Sequence, residues 1–159
     1  MVHRSKQVAV LGLVLTAVCL GRDKGASLKE VHDEKYKAGQ VWSYKTRPSE
    51  QQSTLTILRV EETPEKKRIV HIRVDHIQLT NCKGGPAPDT FEHMPFSTEA
   101  LNESVVKVIR TGAVPDFHSG YSEWRAAWDA GNAGYYTIAV ALALNVAQKT
   151  FDHGIGCSN

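Results

Sequence analysis

The sequence predicts an α+β domain: an antiparallel sheet of about four strands packed by two to three helices. Segments with alternating apolar and polar residues, rich in Val, Ile and Thr, fill much of the first half of the chain. Segments with apolar residues at helical spacing fill most of the second half. A run of strands followed by a run of helices is typical of α+β domains, and 159 residues suit one such domain.

The first 21 residues are predicted to form a secretory signal peptide. Residues 8–20 carry no charge. This run is shorter than the roughly 20 apolar residues that cross a bilayer, but it suits a signal-peptide core of about 7–15 residues. Small residues precede Arg22, where we expect cleavage; a buried N-terminal helix or strand is the alternative. The basic residues that open the segment are His3, Arg4 and Lys6.

Cys19 offers a second form of export, in which a lipid anchors the chain. Residues 15–19 resemble a bacterial lipobox, although Val18 stands where a small residue is usual. Cleavage before Arg22 predicts a periplasmic or secreted protein. Lipidation of Cys19 predicts the same domain tethered to a membrane, and no other membrane contact is expected.

The rest of the chain divides into three parts. Residues 22–35 are predicted to form a flexible lead-in, residues 36–152 a single α+β domain, and residues 153–159 a flexible tail. After removal of the signal peptide, Cys82 remains in a Gly- and Pro-rich loop and Cys157 in the tail. Because exported proteins meet an oxidising environment, we expect these cysteines to form a disulfide. The alternative is a disordered tail and two free thiols.

Three strands are predicted at the start of the domain. Residues 41–45 alternate like a short strand, residues 53–61 form a second, and residues 68–79 form the clearest one. The alternation of the second strand slips near Ile57, which indicates either a bulge or cover on both faces. A polar turn at residues 63–67 joins the second and third strands into an antiparallel hairpin with one solvated face.

The third of these strands has one apolar and one polar face. We expect the apolar face to be buried and the polar face, with its charges, to be solvated. The apolar face consists of Val70, Ile72 and Val74, and the polar face consists of His71, Arg73 and Asp75. The residues expected to cover the apolar face are Leu101, Val105, Trp124 and Trp128.

Helical spacing begins after a loop at residues 81–89 and a short extended piece at residues 91–94. A first helix is predicted from the N-cap Ser97 to Gly112. Its apolar positions repeat at helical spacing and are Leu101, Val105, Val108 and Ile109.

Two more helices and one strand are predicted toward the C-terminus. The second helix starts with Ser119 or Ser122 as its N-cap and ends at Gly131. Residues 134–138 are predicted to add a strand, and residues 139–151 to form a third helix. The aromatic stripe of the second helix, expected to pack on the sheet, is Tyr121, Trp124 and Trp128.

The charge pattern and the missing motifs exclude several classes of function. Lys and Arg number 19 against 17 Asp and Glu, and the two extra basic residues lie before residue 22. A neutral domain lacks the basic surface of a nucleic-acid binder. The sequence has no phosphate-binding or dinucleotide fingerprint and no zinc or calcium motif, so no cofactor and no metal are expected. His71 and Asp75 could supply two metal ligands, but a solvated charged face explains both.

Turns where strand gives way to helix supply the candidate functional residues, because loops at such junctions often carry function. A histidine beside a carboxylate can act as an oriented general base, yet no nucleophile motif accompanies these residues. We therefore assign no catalytic residue and expect a ligand-binding site. The residues expected to form it are His93, Asp116, His118 and Tyr121.

The domain also contains two longer recognisable stretches. Residues 40–48 read QVWSYKTRP and continue into STLTIL at 53–58, while HMPFS at 93–97 runs on to PDF at 115–117 and GYSEWR at 120–125. These stretches resemble a group of small bacterial proteins of unassigned function. The resemblance covers residues 36–151 and implies no activity, cofactor or catalytic residue; it includes neither the Cys82 loop nor the tail.

The sequence favours a small exported binding or interaction domain without catalytic machinery. Its expected partner is a protein or a small ligand whose identity the sequence does not reveal. Two other functions stay open. A hydrolase-like enzyme would use His93, Asp116 and His118, and a cell-envelope protective or inhibitor protein would fit the size and the predicted export.

Overall fold

The structure, a computed structural model, describes residues 27–157. The predicted signal peptide, its cleavage site and Cys19 lie outside the described residues.

An antiparallel sheet with three helices forms the described part of the chain, which confirms the predicted α+β class with more strands than expected. The sheet order is β5-β4-β3-β2-β6, and the short β1 pairs with one end of β3. The strands are β1 (Lys29–Glu30), β2 (Gln40–Tyr44), β3 (Thr54–Glu62), β4 (Arg68–Asp75), β5 (Thr90–Ser97) and β6 (Val105–Thr111). The helices are α1 (Thr98–Ser104), α2 (His118–Asp129) and α3 (Val140–Gly154).

The main hydrophobic core lies on the face of the sheet that α1 and α3 cover. Ile72 at the centre of β4 is fully buried there, together with Leu101 of α1 and Leu144 of α3. Val70 and Val74 are buried on the same face, as the alternation predicts. The predicted β3–β4 hairpin also forms, with a register shift between Ile57 and Arg59 and with buried residues on both faces of β3, so both alternatives for the slipped alternation are present.

The other face of the sheet is covered by α2, so the expectation of a solvated polar face is wrong. His71 is 0% exposed, although Arg73 next to it remains partly open. Trp128 packs on this face against Ile69, and Trp124 lies against the ring of His71. The two tryptophans therefore cover the face opposite to the predicted one. The alternation of β4 was correct, but a helix from a distant part of the chain buries its polar side.

The predicted first helix ends early, and its second half is a strand. Ser97 is the N-cap as expected, because its Oγ accepts a hydrogen bond of 3.2 Å from the backbone N–H of Ala100. The helix stops at Ser104, and Val105–Thr111 pairs with β2. β-branched residues fill this segment, and they favour extended backbone over helix.

Residues 134–138 do not form the predicted strand. Tyr136 instead makes a single parallel bridge to Phe96, with hydrogen bonds to the backbone of Pro95 and Ser97. These contacts cover the C-terminal end of the outer edge of β5. The predicted extended piece at 91–94 is correspondingly longer and is the full strand β5.

Both ends of the described chain are attached to the domain. Leu28 and Asp33 are buried within the segment predicted as a flexible lead-in, and Asp33 accepts hydrogen bonds from the backbone of Lys35 and Tyr36. At the other end, Cys157 forms the predicted disulfide with Cys82, with their Cα atoms 6.2 Å apart. No helix among residues 27–157 is long and apolar enough to cross a membrane.

Candidate functional site

A buried chain of three polar side chains lies between α2 and the sheet. Nε2 of His71 is 2.9 Å from a carboxylate oxygen of Glu61, and Nδ1 of His71 is 2.8 Å from Nε2 of His93. Glu61 and His71 are buried, and His93 is half-buried. The chain therefore runs from the covered interior of the sheet toward its surface.

Antiparallel register places these three residues on one face. His71 of β4 is opposite Arg59 of β3 and Pro95 of β5. Glu61 lies two residues beyond Arg59 and His93 two residues before Pro95, so both project on the same side as His71. Three separate strands thus supply the chain Glu61–His71–His93.

Helix α2 covers this chain with aromatic rings. The rings of Tyr121 and Trp124 meet His71 edge-on, with centroids 5.3 and 4.8 Å away. Tyr121 also donates a 2.8 Å hydrogen bond from its hydroxyl to Glu61. Gly120 allows the close approach, because a Cβ at that position would lie 3.0 Å from Cβ of His93.

Burial and hydrogen bonding set the charge states of the chain. Burial raises the pKa of Glu61, but hydrogen bonds from His71 and Tyr121 outweigh it, so the pKa lies below its ordinary value. Burial lowers the pKa of His71 more than the nearby carboxylate raises it. Burial also lowers the pKa of His93 to about 3, and the neighbouring His71 contributes to the shift. At neutral pH Glu61 is therefore ionised and both histidines are neutral.

These charge states fix the direction of the hydrogen bonds. An ionised carboxylate only accepts hydrogen bonds, so His71 donates to Glu61 through its Nε2–H. Nδ1 of His71 then carries a lone pair and accepts from the Nε2–H of His93. Nδ1 of His93 is consequently left as an acceptor at the outer end of the chain.

A surface pocket of about 420 Å³ opens where α2 begins. Its cation is Arg59, whose guanidinium carbon lies 4.8 Å from the ring centroid of Tyr121 and 5.8 Å from that of Phe117. Nε of Arg59 is also 3.3 Å from a carboxylate oxygen of the exposed Glu30. The lining residues are Arg59, Val114, Pro115, Asp116, Phe117, His118 and Tyr121.

The structure separates the four predicted site residues into two neighbouring places. Asp116, His118 and Tyr121 line the pocket, whereas His93 belongs to the buried chain and touches the ring of Tyr121, with centroids 5.8 Å apart. Tyr121 thus contacts both places. Asp116 has a local role as well, because its carboxylate accepts a 2.9 Å hydrogen bond from the backbone N–H of His118 at the start of α2. Neither predicted serine N-cap is used there.

Sequence reasoning missed Arg59 and Glu61, and it assigned His71 to a solvated face. One signal was present: Ile69 shares the face of His71 on β4, and an apolar residue on a supposedly solvated face indicates that something covers it. Glu61 and His93 lie 10 and 22 positions from His71 in the sequence, so no local motif marks the chain.

The chemistry available at the chain is proton transfer without a nucleophile. Among residues 27–157, the ring and hydrogen-bond partners of His71 and His93 include no serine or cysteine. Nor do the described residues contain a group of three or more His, Cys, Asp or Glu side chains that could hold a metal ion.

Comparisons with protein-family models, with curated proteins and with solved structures find no match.

Proposed function

We propose that the protein is a binding domain for a small molecule that combines an apolar body with a carboxylate. The observation that carries the proposal is the placement of Arg59, whose guanidinium lies over the rings of Phe117 and Tyr121 in the wall of the pocket. A guanidinium presents paired N–H donors that match a carboxylate. The rings beside it provide the apolar surface that the body of such a ligand needs.

The size and composition of the pocket support this class of ligand. A volume of about 420 Å³ falls in the range usual for small-molecule sites. Val114 and Pro115 add aliphatic wall to the aromatic rings, while Asp116 lies in the same lining and disfavours ligands with several negative charges. A single carboxylate therefore suits the site better than a polyanion.

The pocket is supported from below by the buried chain. Tyr121 forms one wall and is held by its hydrogen bond to Glu61, which also interacts with Arg125 of the same helix. A wall that is fixed before binding costs less conformational entropy when the ligand arrives. The Glu61–His71–His93 chain accordingly serves as the support of the binding site.

An NMR titration of the full chain tests the proposal with benzoate, phenylacetate and the matched uncharged benzamide. We expect the carboxylates to shift the amide signals of residues 114 and 116–121. Arg59→Gln should weaken their binding about tenfold, the equivalent of about 1.4 kcal/mol. Arg73→Gln is the matched control, because Arg73 is bound to Asp75 and does not line the pocket. Equal binding of benzoate and benzamide would contradict the proposal.

A second candidate is hydrolase-like proton transfer through His93, favoured by the chain that orients this ring. His93 at the outer end of the buried chain would then act as the base, with Asp116 and His118 in the neighbouring pocket. Hydrolysis of para-nitrophenyl acetate tests it. His93→Ala should abolish the activity, and substitution of the exposed Lys149 of α3, Lys149→Ala, should leave it unchanged. Activity that is absent in the wild type, or retained by His93→Ala, would reject this candidate.

We also propose that the protein is exported to the periplasm or secreted. The basic start and uncharged run of residues 1–21 support this location, as does the Cys82–Cys157 disulfide. Intact-mass measurement on protein from its native host tests it. A chain that begins at Arg22 supports cleavage, acyl groups on Cys19 support the membrane-anchored alternative, and retention of residues 1–21 would contradict both.

A further inference from the structure

We infer that β6 is a docking edge, to which an extended acidic segment of another protein adds as the next strand. The inference is independent of the ligand pocket, because it depends on the backbone, the side-chain exposure and the charge of β6, and no residue of β6 lines the pocket.

Exposed apolar side chains are concentrated at this edge. Among the described residues, the large hydrophobic side chains with high exposure are Val106 (62%), Val108 (40%), Ile109 (51%), Val114 (41%) and Leu142 (55%). The first three belong to β6, whereas Val114 lines the ligand pocket and Leu142 lies on α3. Isolated exposed apolar residues are ordinary, whereas a contiguous group indicates a surface that a partner covers.

The backbone of this edge is open as well. β6 is the last strand of the sheet and, within residues 27–157, pairs only with β2. The opposite edge, β5, is covered at its C-terminal end by the two backbone hydrogen bonds of Tyr136. An open edge strand presents unpaired N–H and C=O groups to which an extended peptide can bind, and the peptide's side chains then provide specificity.

The charge of the edge indicates which kind of segment would bind. Lys107 and Arg110 are exposed on β6, and residues 105–115 include no acidic residue. Acidic side chains interspersed with apolar ones complement this edge, since opposite charges across two strands attract and apolar residues cover Val106 and Ile109.

A second copy of this chain fits the edge less well. It would bring the same two basic side chains to the interface, where like charges repel. The charge of β6 therefore favours an acidic partner over a second copy of this basic edge.

A synthetic heptapeptide that alternates glutamate and valine provides the probe, with the full chain observed by NMR and amide hydrogen exchange. We expect shifts and slower exchange at the amides of residues 105–111. Raising NaCl from about 50 mM to about 500 mM should weaken binding, because salt screens exposed charges. A lysine–valine peptide, and a glutamate–valine peptide with N-methylated backbone amides, should bind at least about tenfold more weakly.

Charge reversal tests the basis of recognition. The double substitution Lys107→Glu with Arg110→Glu should reverse the preference, so that the lysine–valine peptide binds more tightly; Lys149→Glu on α3 is the control and should change nothing. Absence of changes at residues 105–111 in the folded wild type, or equal binding of both peptides, would overturn the inference. So would a wild-type dimer in sedimentation that Val108→Lys dissociates, because the occupant would then be a second copy.

Discussion

The imidazole rings of His71 and His93 are stacked, with centroids 5.1 Å apart and planes inclined by only 18°, and are joined by a hydrogen bond of 2.8 Å. Such a pair is compatible with neutral rings, since two imidazolium ions at this distance would repel and each would donate where one must accept. The pair supports α2 and therefore one wall of the ligand pocket. Its protonation state should consequently control the stability of the domain.

Acidification is expected to destabilise the folded protein in two stages. The pKa values of both histidines are lower in the folded protein than the ordinary value of about 6.5. Below that pH the unfolded chain binds more protons, so stability is fully present above pH ~6.5 and falls as the pH drops toward about 3, the pKa of His93. Each histidine contributes at most about 1.4 kcal/mol per pH unit. Below the ordinary glutamate pKa of about 4.3, the unfolded chain binds a further proton at Glu61, whose pKa is lower in the folded protein, and this adds to the loss.

Urea unfolding at several pH values measures this effect. The charged groups that face the pair are Glu61 and Arg59 from β3 and Arg125 from α2, and they remain present in a His93→Gln variant. That variant should lose part of the slope between pH ~6.5 and pH ~4.5, whereas His118→Gln, an exposed histidine of the pocket, should keep it. Urea midpoints that do not change over this range would show that the histidine pair does not limit stability.

Glu61 should be worth more to stability than the glutamate that follows it. Glu61 is buried and accepts from His71 and Tyr121, whereas Glu62 is paired with Lys66 at the surface. Glu61→Gln replaces one acceptor oxygen with a donor and removes the charge that strengthens both bonds, at a cost of about 2–3 kcal/mol. Glu62→Gln should cost far less, because exposed ion pairs contribute little to stability. Similar free energies of unfolding for the two variants would contradict the assigned role of Glu61.

Local patterns predicted the strands better than they predicted what covers them. The alternation of residues 68–75 correctly predicts the two faces of β4 and the burial of Ile72. Whether the other face meets solvent depends on α2, which begins at His118, far along the chain. The pattern of one strand does not contain that information, apart from the apolar Ile69 on the polar side.

The segment from Val105 to Thr111 shows a different limit. Its apolar residues, Val105, Val108 and Ile109, satisfy helical spacing, so periodicity alone predicts a continuation of α1. Their β-branched side chains favour a strand, and pairing with β2 decides between the two. The candidate site was only half predicted for the same reason, because register across three strands assembles the Glu61–His71–His93 chain.

Truncation in the two covered layers distinguishes packing from polar support. Ile72→Ala should cost about 2–5 kcal/mol, from lost apolar burial and the cavity that remains. The buried position of His71 now predicts that His71→Ala also costs more than the roughly 0.5 kcal/mol typical of surface changes, since Glu61 and His93 lose their common partner. Val108→Ala on the exposed edge is the control for both. A loss of unfolding free energy below ~0.5 kcal/mol for His71→Ala would contradict the buried, hydrogen-bonded role of His71.

Reduction of the Cys82–Cys157 disulfide should destabilise the domain mainly by freeing the end of the chain. The bond joins residues 75 positions apart, and the chain-entropy treatment gives a loop of this length at most about 4.5 kcal/mol. The fold does not depend on the bond alone, because Val140 and Leu144 hold α3 in the core. We therefore expect a double Cys82→Ala and Cys157→Ala variant to keep the fold with a lower urea midpoint. Residues 150–157 should exchange amide hydrogens faster in this variant than in the oxidised protein.

Thiol counting on the denatured, non-reduced mature protein checks the bond directly, and no free thiol is expected. Two free thiols per chain would rule out the bond. A dimer that reduction dissolves would place the bond between chains.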